Sequence, residues 1–238
     1  MKFLDLTLAG AASNLALDEA LLDHCEAGGG GADEILRVWE PEDYFVVLGY
    51  ANRLAAEVDL ATCAEKKIPI FRRCSGGGTV LQGPGCLNYS LCLRIGDGDT
   101  GTVTGTNRLV MERHCRAFQS MLSGEVKVQG HTDLTRGDLK FSGNAQRRRR
   151  SFLIFHGTFL LRMDLSAITG VLKMPTQQPE YRRHRSHADF LTNLELPVAR
   201  VKNLLRNEWQ AGELLEAPPS VEALVGEKYS REEWNRKS

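Results

Sequence analysis

The chain has 238 residues, 42% of them hydrophobic, which is enough for one large domain and too apolar for global disorder. Lys plus Arg and Asp plus Glu each number 30, so the net charge is zero and bulk electrostatics gives no case for nucleic acid or an anionic membrane. Six scattered cysteines, with no CxxC and no Cys/His cluster at zinc spacing, argue for reduced thiols in a reducing compartment. No apolar run reaches membrane length and no signal-peptide pattern is visible, so a soluble cytoplasmic protein is expected.

Leu15, Leu17, Ala20, Leu21 and Leu22 among acidic residues predict an amphipathic helix from Asn14 to Cys25, with Ser13 as N-cap and a glycine loop, Gly28 to Gly31, after it. Ile35 to Trp39 and Tyr44 to Leu48 read as strands separated by a Pro-Glu-Asp turn. Asp59 to Lys66 reads as a short helix that stops before Pro69. A short strand, Ile68 to Phe71, then breaks into Arg72-Arg73-Cys74-Ser75-Gly76-Gly77-Gly78-Thr79-Val80. Leu87 to Ile95 reads as a buried strand, Gly96 to Gly105 as a polar loop and Asn107 to Leu122 as a helix. Val126 to Val128, Lys140 to Ala145 and Phe152 to Leu161 read as strands, with Arg147 to Arg150 in a turn. Leu165 to Leu172 is an expected helix and Gln177 to His187 an irregular polar segment. Helices are expected at Val198 to Trp209 and Val221 to Tyr229. Strands and helices mix without a βαβ rhythm, which favours α+β.

The glycine triplet is read in two ways: as a tight turn, or as a cradle whose N–H groups converge on an anion. The arginine pair before it carries fork geometry suited to phosphate or carboxylate. No Gly-Lys-Ser/Thr follows, so it is not a Walker A loop. Lys140 stands beside a small-residue turn, either as a solvated edge lysine or as a charge for a developing oxyanion. His156, in an apolar strand before Gly157 and Thr158, is either a packed core histidine or a site group. Asp133 either closes an Asx turn or positions a ligand. Arg147 to Arg150 form either a solvated hairpin tip or a patch for pyrophosphate or an acidic partner.

These segments, in this order, resemble the lipoate–protein ligase family, within the biotin/lipoate ligase superfamily, over residues 1–195. The carriers are Asn14-Leu15-Ala16-Leu17-Asp18-Glu19, Leu36-Arg37-Val38-Trp39, Val47-Leu48-Gly49, the arginine–glycine loop with Leu87-Asn88-Tyr89-Ser90, and Lys140-Phe141-Ser142-Gly143-Asn144-Ala145 with His156-Gly157-Thr158. The resemblance implies an α+β catalytic domain with a central mixed, largely antiparallel sheet flanked by helices. It implies that lipoate or octanoate attacks the α-phosphate of ATP, with Mg²⁺, and that the acyl group then passes to a lysine of a lipoyl acceptor domain. In that reading Arg72 neutralises phosphate and Ser75, Gly76, Gly77, Gly78, Thr79 and Val80 line the acyl-adenylate. Asn88, Asp133, Ser142, Gly143, Ala145, His156, Gly157 and Thr158 complete the site, and Lys140 bridges carbonyl and phosphate.

Three departures stand out against that family. Gly85-Cys86 replaces a frequent Gly-Asn, and Thr132-Asp133 replaces a frequent Asn-Asp. Residues 196–238 are too few for the full separate accessory domain of many ligases; a short helical tail is expected there, or the missing part is another polypeptide. The competing readings are an octanoyl- or lipoyl-transferase that uses a cysteine thioester without ATP, for which Cys86 is the tempting nucleophile, and a non-catalytic lipoyl-binding protein.

Overall fold

The computed structural model describes residues 1–28 and 33–237; Gly29 to Gly31 of the expected glycine loop lie outside the described residues. In chain order the strands are β1 (Lys2–Asp5), β2 (Ile35–Trp39), β3 (Phe45–Leu48), β4 (Ile70–Arg72), β5 (Val80–Gln82), β6 (Cys86–Arg94), β7 (Val126–Gln129), β8 (Asp133–Arg136), β9 (Leu139–Arg148), β10 (Phe152–Leu160) and β11 (Glu213–Leu214). The helices are α1 (Ala11–Gly28), α2 (Leu54–Glu57), α3 (Leu60–Glu65), α4 (Val103–Gln119), α5 (Leu165–Val171), α6 (His187–Phe190), α7 (Val198–Glu208), α8 (Glu222–Leu224) and α9 (Glu232–Asn235).

An eight-stranded sheet runs β11-β1-β2-β6-β10-β9-β8-β7, and a three-stranded sheet runs β4-β3-β5. The first two pairings of the large sheet are parallel and the rest antiparallel. The fold is therefore α+β with a mixed, largely antiparallel central sheet flanked by helices, as the sequence led one to expect. Alternation along the strands divides the core. Leu87, Tyr89, Leu91 and Leu93 of β6 face Val110, Met111 and Phe118 of α4 and Val201 and Leu205 of α7. On the other face Cys92, Ile154 and Phe152 meet Leu17, Leu21 and Leu22 of α1. The small sheet packs beside α1 on that second face, through Leu15, Ala16, Trp39, Phe45 and Val47.

Several elements differ from expectation for local reasons. Helix α1 starts at Ala11, so Ser13 lies inside its first turn. Asn14 does the work at this end: its Oδ1 accepts from Leu8 N–H at 3.0 Å and its Nδ2 donates to the Leu8 carbonyl at 2.7 Å. Helix α4 starts at Val103 because Thr102 caps it, accepting from Gly105 N–H. Strand β9 runs on through Arg147 and Arg148, which were expected in the turn. Arg148 donates to Thr106 Oγ1 and the Thr100 carbonyl, Arg149 to Asp23, and Arg147 to the Cys74 carbonyl. Three of the four arginines thus fasten the β9–β10 hairpin to α1, α4 and the glycine loop.

Trp209, which ends α7, lies in the same core cluster as Phe159, and its Nε1 donates to His114 Nε2 at 2.8 Å. Beyond it the chain adds β11 beside β1 and then crosses to α1. A π-helical turn, Val225–Tyr229, joins α8 to the segment before α9. There Lys228 Nζ donates to both carboxylate oxygens of buried Glu19, at 2.8 and 2.6 Å, and Tyr229 OH donates to Oε2 at 2.7 Å. Among the described residues no helix is long and apolar enough to cross a membrane.

Two outcomes follow from this packing. Trp209→Ala removes a buried ring and leaves His114 without its donor, so urea denaturation should show a loss of roughly 3–5 kcal/mol; a loss under about 1 kcal/mol would contradict the packing described. For Glu19, burial opposes ionisation, yet the Lys228 and Tyr229 hydrogen bonds outweigh it and hold the carboxyl below its ordinary value of 4.5. The unfolded chain then binds the proton more readily, so this contribution is present above the ordinary carboxylate range and lost as pH falls. Glu19→Gln should therefore be less stable at neutral pH, with a smaller further loss on acidification than the parent chain shows.

Candidate active site

Strand register assembles the floor of the site. Trp39, Asn88, Thr158 and Gly143 are successive Cα partners across β2, β6, β10 and β9. Arg37, Ser90, His156 and Ala145 form the next row. Both rows lie on the sheet face that carries α1. In the first row Gln82 Nε2 donates to Thr158 Oγ1 at 2.6 Å, which donates to Asn88 Oδ1 at 2.5 Å. Gln82 Oε1, Asn88 Nδ2, Trp39 Nε1 and, from the loop, Thr79 Oγ1 are buried without a partner. Buried polar atoms of this kind mark a surface that a polar ligand or water completes.

Lys140 joins this face through an irregularity. Leu134 pairs with Ser142, but Thr135 pairs with Lys140, so β9 holds one extra residue, Phe141. Strict alternation would put residues 140 and 143 on opposite faces; the bulge puts them on the same one. A Cβ on Gly143 would lie 2.9 Å from Lys140 Nζ, so only glycine leaves room for the ammonium there. Lys140 Nζ meets Asp133 Oδ1 at 2.8 Å, and Tyr181 OH donates to Asp133 Oδ2 at 2.7 Å. Tyr181 belongs to the polar segment that reads as a plain loop in sequence.

The glycine loop curls around an arginine, and that arginine is Arg73. Its Nη2 donates to the Gly76 and Gly78 carbonyls at 2.5 and 2.8 Å, and its Nε donates to Ser75 Oγ at 3.1 Å. Burial pulls its pKa down to about 10, so it stays charged at neutral pH. With these carbonyls turned inward, the N–H groups of Gly76, Gly77 and Gly78 meet no acceptor among the described residues. Beyond Gly76 and Gly78 lies open space. Unpaired N–H donors beside a buried cation offer an anion a place to bind.

Arg72, expected at the phosphate, points elsewhere. It is fully buried, and its Nη1 donates to the carbonyls of Gly49, Tyr50 and Asn52 at 2.9, 3.1 and 2.8 Å. Its Nε and Nη2 donate to the Trp234 and Lys237 carbonyls at 3.1 and 2.7 Å. Each of its three nitrogens donates to a backbone carbonyl, so Arg72 braces the base of the loop.

Beneath the loop runs a buried chain of polar groups. Ser75 Oγ and His156 Nε2 are 2.5 Å apart, His156 Nδ1 and Asp18 Oδ2 are 3.0 Å apart, and Arg37 Nη1 donates to Asp18 Oδ1 at 2.7 Å. Burial opposes ionisation of Asp18, but the His156 hydrogen bond and the Arg37 charge win and hold its carboxyl below the ordinary value. Asp18, Arg37, Arg73, Gln82 and Tyr181 are missing from the sequence-derived site. A signal existed for one of them: Arg37 interrupts an otherwise apolar strand, and a buried charge there demands a partner.

The remaining expected residues divide. Ser75, Thr79, Asn88, Asp133, Gly143, Ala145, His156 and Thr158 come together around Lys140 and the loop. Val80 packs beside α1. Gly157 and Ser142 face the α4 side, where a Cβ on Gly157 would lie 1.7 Å from Asn144 Oδ1. Asn144 crosses that gap to accept from Tyr89 OH at 2.6 Å. Cys86 is no exposed thiol: it is 1% exposed, lies 3.3 Å from Met163 Sδ, and burial pushes its pKa up to about 12. Cys74, at the loop itself, is likewise pushed up to about 12 by burial.

The sequence model of the lipoyl protein ligase A/B catalytic domain matches residues 10–209. The bipartite lipoate protein ligase of Thermoplasma acidophilum, solved in a study of an archaeal lipoylation system with its E2 lipoyl domain, superposes with a TM-score of 0.83 at 26% identity, covering 99% of this chain and 95% of that one. A crystal structure of lipoate-protein ligase A bound with ATP superposes with a TM-score of 0.80 at 25% identity, covering 99% of both. The octanoyltransferase LipM of Carboxydothermus hydrogenoformans is 26% identical, covering 98% of this chain and 97% of its own. The matched region takes in both rows of the sheet floor, the glycine loop and Lys140, and by it this chain belongs to the lipoyl protein ligase A/B catalytic-domain family.

Proposed function

We propose that this chain is an ATP-dependent lipoate–protein ligase rather than a transferase that passes through a cysteine thioester. The observation that carries this reading is the state of the thiols. Cys25, Cys63, Cys74, Cys86 and Cys92 are buried, and Cys115 is half-buried on α4 with its Sγ donating to the Val126 carbonyl. A thioester route needs an accessible thiolate, and none lies beside Lys140. The anion cradle, by contrast, suits a nucleotide, as does the similarity to the ATP-bound ligase.

In this reading the carboxylate of lipoate or octanoate attacks the α-phosphorus of ATP, and pyrophosphate leaves. The loop N–H groups of Gly76 to Gly78 hold phosphate oxygens. Asp133 and Tyr181 steady the Lys140 ammonium over Gly143, where it meets the negative charge shared by carbonyl and phosphate. The amine of an acceptor lysine then attacks the acyl carbonyl, AMP leaves, and an amide forms. Among the described residues no group of three or more His, Cys, Asp or Glu side chains converges as a metal site. Mg²⁺ is expected to enter with the ATP phosphates. The bipartite relative with its E2 lipoyl domain supports a lipoyl-domain acceptor and a second polypeptide as partners.

The transferase is the second reading, favoured by the nearly full-length similarity to LipM. Lys140→Ala should lower pyrophosphate release from ATP and lipoate at least about 100-fold while leaving the thermal transition in place; a rate near the parent value would sink the ligase assignment. Cys86→Ala should keep ATP-dependent mass gain on a lipoyl domain, with a stability loss of about 1 kcal/mol. An octanoyl thioester trapped on the parent chain without ATP, and lost in Cys86→Ala, would establish the transferase instead.

A further inference from the structure

Lys140 and the carboxylate that holds it stand on neighbouring strands whose pairing stops between them. The β8–β9 pairing ends at Leu134 and Ser142, although β9 runs on to Arg148. Asp133, the residue before Leu134, pairs with Gln129 of β7 and, among the described residues, has no register partner in β9. The bulge at Phe141 loosens the same pairing on the side of Lys140. Backbone bonds therefore tie Asp133 to the outer edge of the sheet and not to the strand that carries Lys140. Asp133 Oδ1 nevertheless meets Lys140 Nζ at 2.8 Å, and a fastening other than the ladder has to fix that distance.

Asn144 supplies the fastening. Its Nδ2 donates to the Thr132 carbonyl at 2.6 Å, and its own backbone carbonyl accepts from Thr132 Oγ1 at 2.8 Å. The Thr132 carbonyl can only accept, so the amide nitrogen faces it and Oδ1 is left to accept from Tyr89 OH at 2.6 Å. Tyr89 is fully buried and stacks on Phe159 with ring centroids 5.0 Å apart, which anchors the amide in the main core. Asn144 reaches it through the gap left by the missing side chain of Gly157. Thr132 immediately precedes Asp133, so the circuit Asn144–Thr132–Asp133–Lys140 starts and ends on β9. The Asn144 side chain lies on the α4 side of the sheet, away from the glycine loop, and acts on the site through Thr132 and Asp133.

We propose that Asn144 is a positioning residue for Lys140: by clamping Thr132 across the open end of the β8–β9 ladder it sets the Asp133 carboxylate, which holds the ammonium where charge develops. Its weight in the reaction rests on the ligase reading of Lys140. Loss of either Thr132 bond frees the turn that carries Asp133, and a catalytic charge displaced by about 1 Å costs rate far more than it costs binding.

Pyrophosphate release by the full chain, with ATP and lipoate, tests this. Asn144→Ala and Thr132→Val should each lower kcat roughly tenfold or more, with KM for both substrates within about twofold of the parent. Thr132→Ser keeps the hydroxyl and should keep the parent kcat. Thr132 is half-buried in a turn, so its variants carry the test if Asn144→Ala fails to fold. Hydrogen exchange of the Lys140 ammonium, assigned by its disappearance in Lys140→Arg, reads the same contact without substrate. It should be faster than in the parent in Thr132→Val and Asn144→Ala, and unchanged in Thr132→Ser. Parent-like ammonium exchange in Thr132→Val overturns the inference, as does a raised KM with kcat intact. A parent chain that releases no pyrophosphate overturns the ligase reading instead, and the exchange rates still decide whether Asn144 positions Lys140.

Discussion

The buried ion pair between Arg37 and Asp18 is the constraint on which the site depends. Both side chains lie out of water, where an unpaired charge is severely destabilising. Arg37 therefore has to be satisfied at every donor, and its partners are drawn from two elements: the Leu6 carbonyl after β1, and Asn14 and Asp18 on α1. Those bonds fix how α1 sits on the sheet. With α1 placed, Asp18 meets His156 Nδ1 through its second oxygen, and His156 Nε2 meets Ser75, the first residue of the glycine loop. A charge pair in the floor thus sets the position of a loop that shares no strand with it.

The two walls of the site are positioned by different means. The loop is shaped from inside by Arg73 and braced from behind by Arg72, so its backbone has little freedom despite three glycines. Lys140 is positioned by a single extra residue in β9, together with the missing side chain of Gly143. Both devices leave the polar atoms of one face turned toward the same space. The opposite face of the same strands is aliphatic and aromatic, and it carries the packing against α4 and α7. The site can therefore be polar and partly unsatisfied while the other layer supplies the stability.

Much of this was legible in the sequence. The glycine loop, the strand carrying Asn88, the Lys140 segment and the His156 strand follow from local patterns, and the family resemblance placed them in one site. What escaped was set by distant partners. The bulge at Phe141 exists only relative to β8, so no pattern within β9 announces it. Which arginine of the pair faces the loop depends on where β4 ends, and the sequence offers two adjacent candidates of identical chemistry. Strand β11 is a two-residue edge segment and β1 the four-residue strand beside it; both form because long-range neighbours receive them. Asp18 and Glu19 read as the solvated side of an amphipathic helix, yet both are buried, each claimed by cations far along the chain.

The bracing of Arg72 has a consequence for the order in which the protein is made. Two of its acceptors, the carbonyls of Trp234 and Lys237, are separated from it by 162 and 165 residues. During synthesis the sheet floor and the loop emerge long before those carbonyls exist. A nascent chain lacking them holds a guanidinium with hydrogens unspent at the base of an anion cradle. Those two bonds tie the base of the loop to the far end of the chain, so a polypeptide that stops short of residue 234 leaves Nε and Nη2 of a buried guanidinium without these acceptors.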